Sequence, residues 1–297
     1  MKKQVIFLSI GLIMAVSAAA QEAGPSTAFP YLAVDRSAVT SAMGGAQSLS
    51  PLYNPAAVPF SGSDVQAGLQ LWAPSSAKST NVNVLSGIKL GEKMGITVMA
   101  AYQMGQPYTI ADASGKETGE FKPSDFLAGA GLGFAFTDKL SAGVNVKIAS
   151  QTLAAGSSSS TVAADAFLLY ANGGLQATAG VTSLGLSVKD SQGNSFGLPS
   201  SAKLGVGYSL PVGLSLRADA DYFLSGGLGA GLGAQYAWKD MVFVRAGYHL
   251  GTGNAPVPSY LSLGAGFKFS GFHVDLSYLA ASETLGGTLH IGLGYAF

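Results

Sequence analysis

Thr288-Leu289-His290-Ile291-Gly292-Leu293-Gly294-Tyr295-Ala296-Phe297 closes the sequence. Side chains of an extended strand alternate between two faces. Leu289, Ile291, Leu293, Tyr295 and Phe297 therefore share one face, and Thr288, His290, Gly292, Gly294 and Ala296 the other. One face is greasy and the other is small or polar. The same period of two runs through Leu140–Ile148, Leu261–Phe269 and Phe272–Tyr278. About fourteen segments read this way: 64–73, 80–90, 94–103, 125–136, 140–150, 161–171, 175–185, 201–210, 214–223, 227–238, 241–249, 260–269, 272–279 and 285–297. Most approach the ~9 to 11 residues a tilted strand needs to cross a bilayer's hydrocarbon.

Composition points to the same medium. Hydrophobic residues make up 48% of the 297 and charged residues only 11%, against roughly 25% charged in a soluble domain. No internal apolar run reaches the ~18 to 20 residues of a spanning helix. The remaining solution is a closed barrel, which satisfies backbone polar groups between strands and needs apolar side chains only at every second position. Sixteen basic residues balance sixteen acidic ones. Without residues 1–20, which hold Lys2 and Lys3, 14 basic residues face 16 acidic, a net of −2. That leaves no basic surplus to attract nucleic acid. The absence of Cys excludes disulfides, thiolate metal sites and thiol nucleophiles.

The connections sort by length. Tight turns at 91–93, 137–139, 171–174, 211–213, 239–240 and 270–271 alternate with longer polar links at 74–79, 104–124, 151–160, 186–200, 250–259 and 279–284. The brief link at Ser225-Gly226 is the exception, and Ser157–Ser160 reads as a polar loop. An up-and-down membrane barrel sorts its loops this way, with short periplasmic turns and longer external loops. The fold expected is an all-β, antiparallel transmembrane barrel of about fourteen strands. Trp72, Tyr102, Tyr208, Tyr222, Trp238, Tyr260 and Tyr278 near strand ends suit its interfacial girdles.

The N-terminal part is organised differently. Lys2-Lys3, the apolar run Val5–Val16 and Ala18-Ala19-Ala20 form the pattern of a cleavable secretory signal over residues 1–20. Residues 21–62 lack alternation and carry Gly44-Gly45, Pro51, Asn54-Pro55 and Pro59, which break regular structure. They are also apolar, with Phe29, Tyr31, Leu32 and Val34 among them. A plug folded into the lumen from the periplasmic side is expected, followed by the barrel over 63–297.

Ala42-Met43-Gly44-Gly45-Ala46 with Tyr53-Asn54-Pro55-Ala56, and Gly119-Glu120-Phe121 with the stretch Leu140–Lys147, resemble motifs of the PorV/PorQ family of outer-membrane proteins, part of the wider FadL-like group. The final Tyr295-Ala296-Phe297 resembles the end signal read by barrel assembly machinery, with Phe297 as its key residue. The resemblance implies a fourteen-stranded barrel with an N-terminal hatch, in which Gly44, Gly45, Asn54 and Pro55 mark the plug. It also implies an outer-membrane location in a Gram-negative-type envelope, in contact with outer-membrane lipid. Two functions follow from it. PorV/PorQ-like proteins bind or present protein partners of a type IX secretion apparatus. FadL-like proteins transport hydrophobic small molecules. Gln47–Leu52 replaces an acidic stretch usual in the first family, and the outer loops are short. Loop size favours transport and motif order favours secretion partners; the function expected first is the binding or presenting of secretion-apparatus partners, with transport of hydrophobic small molecules as the alternative.

If the apolar phase faces lipid, Lys147, Arg217, Asp219, Asp221, Arg245, His249, Lys268, His273, Asp275 and His290 face the lumen. Lys or Arg on the lipid face would cost ~2 to 4 kcal/mol at mid-membrane. These residues are expected to form a mutually neutralising network that supports the plug; a polar path for a ligand is the alternative. The three His lack metal-ligand spacing, and no Gly-x-Ser-x-Gly element occurs. Runs such as Gly227–Gly233 lie inside strand patterns and are not phosphate loops. No cofactor, metal or enzymatic activity is expected.

Overall fold

The computed structural model describes residues 27–112, 114–154, 157–189 and 193–297. The expected signal, residues 1–20, lies outside them. The strands are β1 (Asp64–Trp72), β2 (Ser79–Leu90), β3 (Met94–Met104), β4 (Tyr108–Ala111), β5 (Glu117–Phe121), β6 (Ser124–Ala135), β7 (Leu140–Ala154), β8 (Ser157–Asn172), β9 (Leu175–Gly185), β10 (Val188–Lys189), β11 (Ser195–Phe196), β12 (Ser201–Ser209), β13 (Leu214–Phe223), β14 (Leu228–Trp238), β15 (Val242–Thr252), β16 (Tyr260–Phe269), β17 (Phe272–Ala280) and β18 (Leu289–Ala296). Fourteen of them close an antiparallel barrel, each beside its barrel neighbour in sequence, with β1 against β18. The pairs β4–β5 and β10–β11 are separate hairpins carried by two of the long connections. Closure begins at Asp64 opposite Ala296. Just before it, Ser63 and Phe297 exchange both backbone hydrogen bonds, at 3.2 and 3.0 Å.

The alternation that defines the strands also sorts their faces. Val144, Val146 and Ile148 on β7 each leave more than half their surface exposed, while Asn145 and Lys147 between them are buried. An outward apolar band of this kind, carried by every barrel strand, belongs in hydrocarbon rather than water. None of the described helices is long and apolar enough to cross a membrane.

Three boundaries differ from those read in the sequence. Ser157–Ser160 is not a free loop. It opens β8 and pairs with β7, with Ser160 opposite Ser150 and Ser159 opposite Gln151. Ladder hydrogen bonds persist there after the side chains have become polar, so periodicity fades before pairing does. The last strand starts at Leu289 rather than 285. Leu285 sits in the preceding turn and packs against Ala73, Val257, Tyr260 and Leu279. The polar runs within 104–124 and 186–200 contain the two hairpins, too short for their period to register. The brief connection at Ser225-Gly226 lies at the end of the barrel that carries the long links, here called the upper end, and is a true tight turn with Gly226 at φ +84°.

Residues 27–62 fill the barrel. Tyr31 donates to the carbonyls of Phe126 and Ser150 at 2.9 and 3.0 Å, near the upper end. Ala56 accepts from Ser141 Oγ at 2.6 Å near the lower end. The segment therefore descends the height of the lumen before entering β1. Its first described residues sit near the upper end, where Ala28 N–H donates to Gly197 O at 2.9 Å. Asn54 caps the short 3-10 turn Pro55–Phe60 by accepting from Ala56 N–H at 2.9 Å, with Pro55 in the first turn. The Asn54 amide also donates to Ser48 O and Thr178 Oγ1.

Lumen-facing glycines make room for this backbone. A Cβ at Gly133 would overlap Pro55 O, and one at Gly247 would overlap Gly44 N. Gly44 itself has φ +69°, and its backbone lies against the carbonyls of Leu232 and Tyr248. Glycine alone permits both that conformation and that approach. Gly133→Val should keep a closed, heat-resistant barrel while freeing the segment around Pro55. Faster hydrogen exchange confined to residues 50–62 is the expected readout, with a stability loss of about 1 to 3 kcal/mol; unchanged exchange would show the seat is not needed.

Candidate functional site

The lumen has two chemically distinct sides. On the side of β2, β3 and β6–β8, Leu85, Met99, Ala101, Leu127, Ala149 and Ala163 form one apolar cluster with Phe29, Tyr31, Leu32 and Leu52 of the N-terminal segment. The side from β12 to β18 carries most of the ionisable residues. A cavity of about 90 Å³ lies between them. Leu85, Met99, Leu127 and Phe167 line its apolar part; Lys147, Asp165, Lys203 and Asp221 line its polar part; Asp35 and Arg36 close it from within the barrel.

Four of its charges form two ion pairs. Lys147 Nζ is 2.7 Å from Asp165 Oδ1 and Lys203 Nζ is 2.7 Å from Asp221 Oδ2. A bulge in the β8–β9 ladder, between Ala164 and Ala166, helps to build the first pair. It puts Ser183 at φ +54°, where its N–H donates to Asp165 Oδ1 at 2.8 Å and its hydroxyl accepts from Lys147 at 3.2 Å. Asn145 donates to the other Asp165 oxygen.

Asp35 and Arg36 are both almost wholly buried. Asp35 Oδ1 accepts from Ser37 N–H at 3.1 Å, Thr40 Oγ1 at 2.8 Å and Tyr53 Oη at 2.8 Å. Arg36 Nη1 and Nη2 donate to the carbonyls of Val34 and Tyr31. Asp35 Oδ2 and Arg36 Nε remain without a partner. Burial pushes the Asp35 carboxyl above its usual value, against the downward pull of the Thr40, Tyr53 and Ser37 hydrogen bonds. Burial, then the neighbouring Asp35, holds the Tyr53 phenol well above its own.

The residues singled out in the sequence scatter along the lumen. Lys147, Asp221, His249 and Gly45 reach the cavity. His249 stacks on Tyr260 with ring centroids 5.0 Å apart and lies 3.2 Å from Gly44 O. Gly44 N–H donates to Ser262 Oγ. Asp219 instead grips the N-terminal segment, accepting from Ser48 N–H at 2.8 Å and Ser48 Oγ at 2.6 Å. Arg245, Asp275 and His273 form a separate chain toward the lower end. Arg245 Nη1 is 2.6 Å from Asp275 Oδ1, and His273 bridges Asp275 and Asp64 at 2.7 and 2.9 Å. His290 is buried against the Gln70 amide at 2.6 Å, outside the cavity. Arg217 and Lys268 are half-buried near the lower end and line no part of it. Asn54 and Pro55 shape the N-terminal segment, and the Phe297 ring points outward beside Tyr295.

Asp35, Arg36, Asp165 and Lys203 are not singled out in the sequence, and Tyr53 only as part of the Tyr53-Asn54-Pro55-Ala56 motif. Asp165 and Lys203 stand on the lumen phase of their strands, so the rule that found Lys147 would have found them. Asp35-Arg36 lies in a stretch without periodicity, and no sequence signal marks it. Among the described residues no cluster of His, Cys, Asp or Glu could hold a metal.

No protein-family profile matches the chain, and no curated protein matches it. Solved structures do. The Ralstonia pickettii toluene transporter TbuX aligns with a TM-score of 0.61 at 12% identity, covering 87% of this chain and 97% of that one. The Pseudomonas putida toluene transporter TodX aligns with a TM-score of 0.59 at 15% identity, covering 87% and 96%. A Pseudomonas aeruginosa FadL homologue aligns with a TM-score of 0.52 at 11% identity, covering 83% and 90%. The chain shares the fourteen-stranded, FadL-like barrel fold of these proteins.

Two predictions follow from the site. Lys203→Met leaves the Asp221 carboxylate buried and unpaired, which should cost about 3 to 5 kcal/mol in urea unfolding from micelles; adding Asp221→Leu should restore most of it. Equal loss in single and double variants would mean that the stranded carboxylate is not what costs stability. Asp35 binds its proton more tightly when the segment is docked than when it is free. Docking should thus be firmest below the ordinary Asp value of about 3.9 and weaken as pH rises through the elevated one. Hydrogen exchange of residues 34–41 against pH reads this, and Asp35→Asn should flatten the profile.

Proposed function

We propose that the chain is an outer-membrane channel for small hydrophobic molecules, with residues 21–62 as the plug that gates it. The observation that carries this reading is the half-apolar cavity enclosed between residues 32–53 and the barrel wall. The outward apolar band supports a bilayer setting. The toluene transporters that share the fold support the class of cargo. This favours transport over the secretion-partner role, for which PorV/PorQ-like motif order is the only support. Residues 1–20 would serve as the export signal, and Phe297 as part of the signal read by assembly machinery. The polar lumen residues would hold the plug in place rather than do chemistry.

At about 90 Å³ the cavity is smaller than the ~150 Å³ void known to admit benzene. A ring-sized guest would therefore need the N-terminal segment to give way, as a gate does. Toluene uptake by cells carrying the protein in their outer membrane should exceed that of cells without it several-fold. A disulfide between Cys placed at Ser48 and Asp219 should remove the excess, and reduction should restore it. Uptake equal to background, together with stoichiometric recovery of secretion-apparatus subunits in a mild-detergent pull-down, would replace this reading with the partner-binding one.

A further inference from the structure

The cavity contains a recognition element that a channel for plain hydrocarbons does not need. Two of the residues that line it, Asp35 and Arg36, each carry one buried polar atom without a hydrogen-bond partner, Oδ2 and Nε. The other polar atoms of the two side chains each have a partner. Three donors converge on Asp35 Oδ1 and none reaches Oδ2. Both Arg36 Nη atoms are held by carbonyls, which leaves Nε. Buried polar atoms are ordinarily satisfied, so an exception beside a cavity marks a place where a guest's polar group could bond.

The chemistry of the two atoms restricts that partner. Nε–H can only donate. The carboxyl oxygen accepts when ionised and can donate when protonated. A ligand carboxylate would suit Arg36 but confront Asp35; a ligand ammonium would suit Asp35 but confront Arg36. A hydroxyl suits either, because its oxygen can both donate and accept. The rest of the lining agrees. Asp35, Asp165 and Asp221 oppose Arg36, Lys147 and Lys203, so the charges cancel. Both lysines already hold their own carboxylates at 2.7 Å, so a ligand anion would have to displace an aspartate. Leu85, Met99 and Leu127 supply the surface for an apolar body.

We propose that this site selects uncharged, monohydroxylated apolar molecules, such as phenols and short alcohols, over both the parent hydrocarbons and the corresponding acids. The proposal rests on the channel reading and names its cargo. The hydroxyl would bond to Asp35 or Arg36, and the ring or alkyl part would lie against the β2–β3–β6 side. Seating it requires the same yielding of residues 32–36 that any ring-sized guest requires.

Three probes of nearly one shape test it: p-cresol, toluene and p-toluate, titrated calorimetrically into the full-length protein in detergent at pH 8. The expected order is p-cresol at least tenfold tighter than toluene, with p-toluate weakest. Asp35→Asn, which puts an amide where Oδ2 stood, should cut the p-cresol-to-toluene affinity ratio about tenfold. Because the variant is read as a ratio, partial loosening of the segment does not imitate the result. If that variant fails to fold, the order of the three probes on the native protein still decides. Toluene binding as tightly as p-cresol, or p-toluate binding tightest, would overturn the hydroxyl preference and leave the channel reading standing. No binding of any probe, with no toluene uptake in cells, would overturn both.

Discussion

Everything in this molecule depends on finishing the ring of backbone hydrogen bonds. In hydrocarbon an unpaired N–H or C=O finds no water, so an open sheet edge is not tolerated. The ladder from β1 through β18 closes on itself, and the Ser63–Phe297 exchange carries the seal one residue beyond the last strand. Once closure is required, alternate side chains must face lipid. Charges are then confined to the inner face, and they must find partners there. Ion pairs buried in a lumen are thus a consequence of the wall before they are a feature of any site.

The strands were legible because the bilayer imposes a period on them. A lipid-facing position tolerates little but apolar residues, so Val144-Asn145-Val146-Lys147-Ile148 announces both strand and orientation. The same rule placed Arg245 and Asp275 on the inner face without saying that they touch. Legibility ends where the constraint ends. Above the apolar zone β7 and β8 keep pairing, but Ser157–Ser160 answer to water and show no period. The N-terminal segment is the extreme case. Its conformation is set by contacts with barrel residues far away in sequence, 35 positions for Gln70 on Asp35 and 218 for Ser262 on Gly44, so Asp35-Arg36 looks like an ordinary charged pair in an irregular stretch. The bulge that brings Ser183 to Asp165 is equally silent, because one extra residue in a ladder leaves no compositional trace.

The interior is built by subtraction. Glycines at 133, 143, 231, 233 and 247 leave the wall thin where the N-terminal backbone crosses it. Polar anchors then fix the segment at chosen heights: Tyr31 near the upper end, Ser48 on Asp219 midway, and Asn54 on Thr178 below. Between the upper and middle anchors the wall is not so closely met, and the cavity lies there. Its lining is mixed because the apolar cluster of β2–β8 meets two ion pairs there, Lys147–Asp165 on β7 and β8 and Lys203–Asp221 on β12 and β13.

The Ser63–Phe297 seal also bears on the order of biogenesis. β18 completes the wall against β1, and β1 follows directly on the segment that fills the lumen. A finished cylinder would offer that segment only an axial way in, past side chains already packed. A still-open sheet offers its whole inner surface. The economical sequence has residues 27–62 laid against the glycine-lined wall first, and β18 then drawn up to β1 like the last stave of a cask around contents already in place.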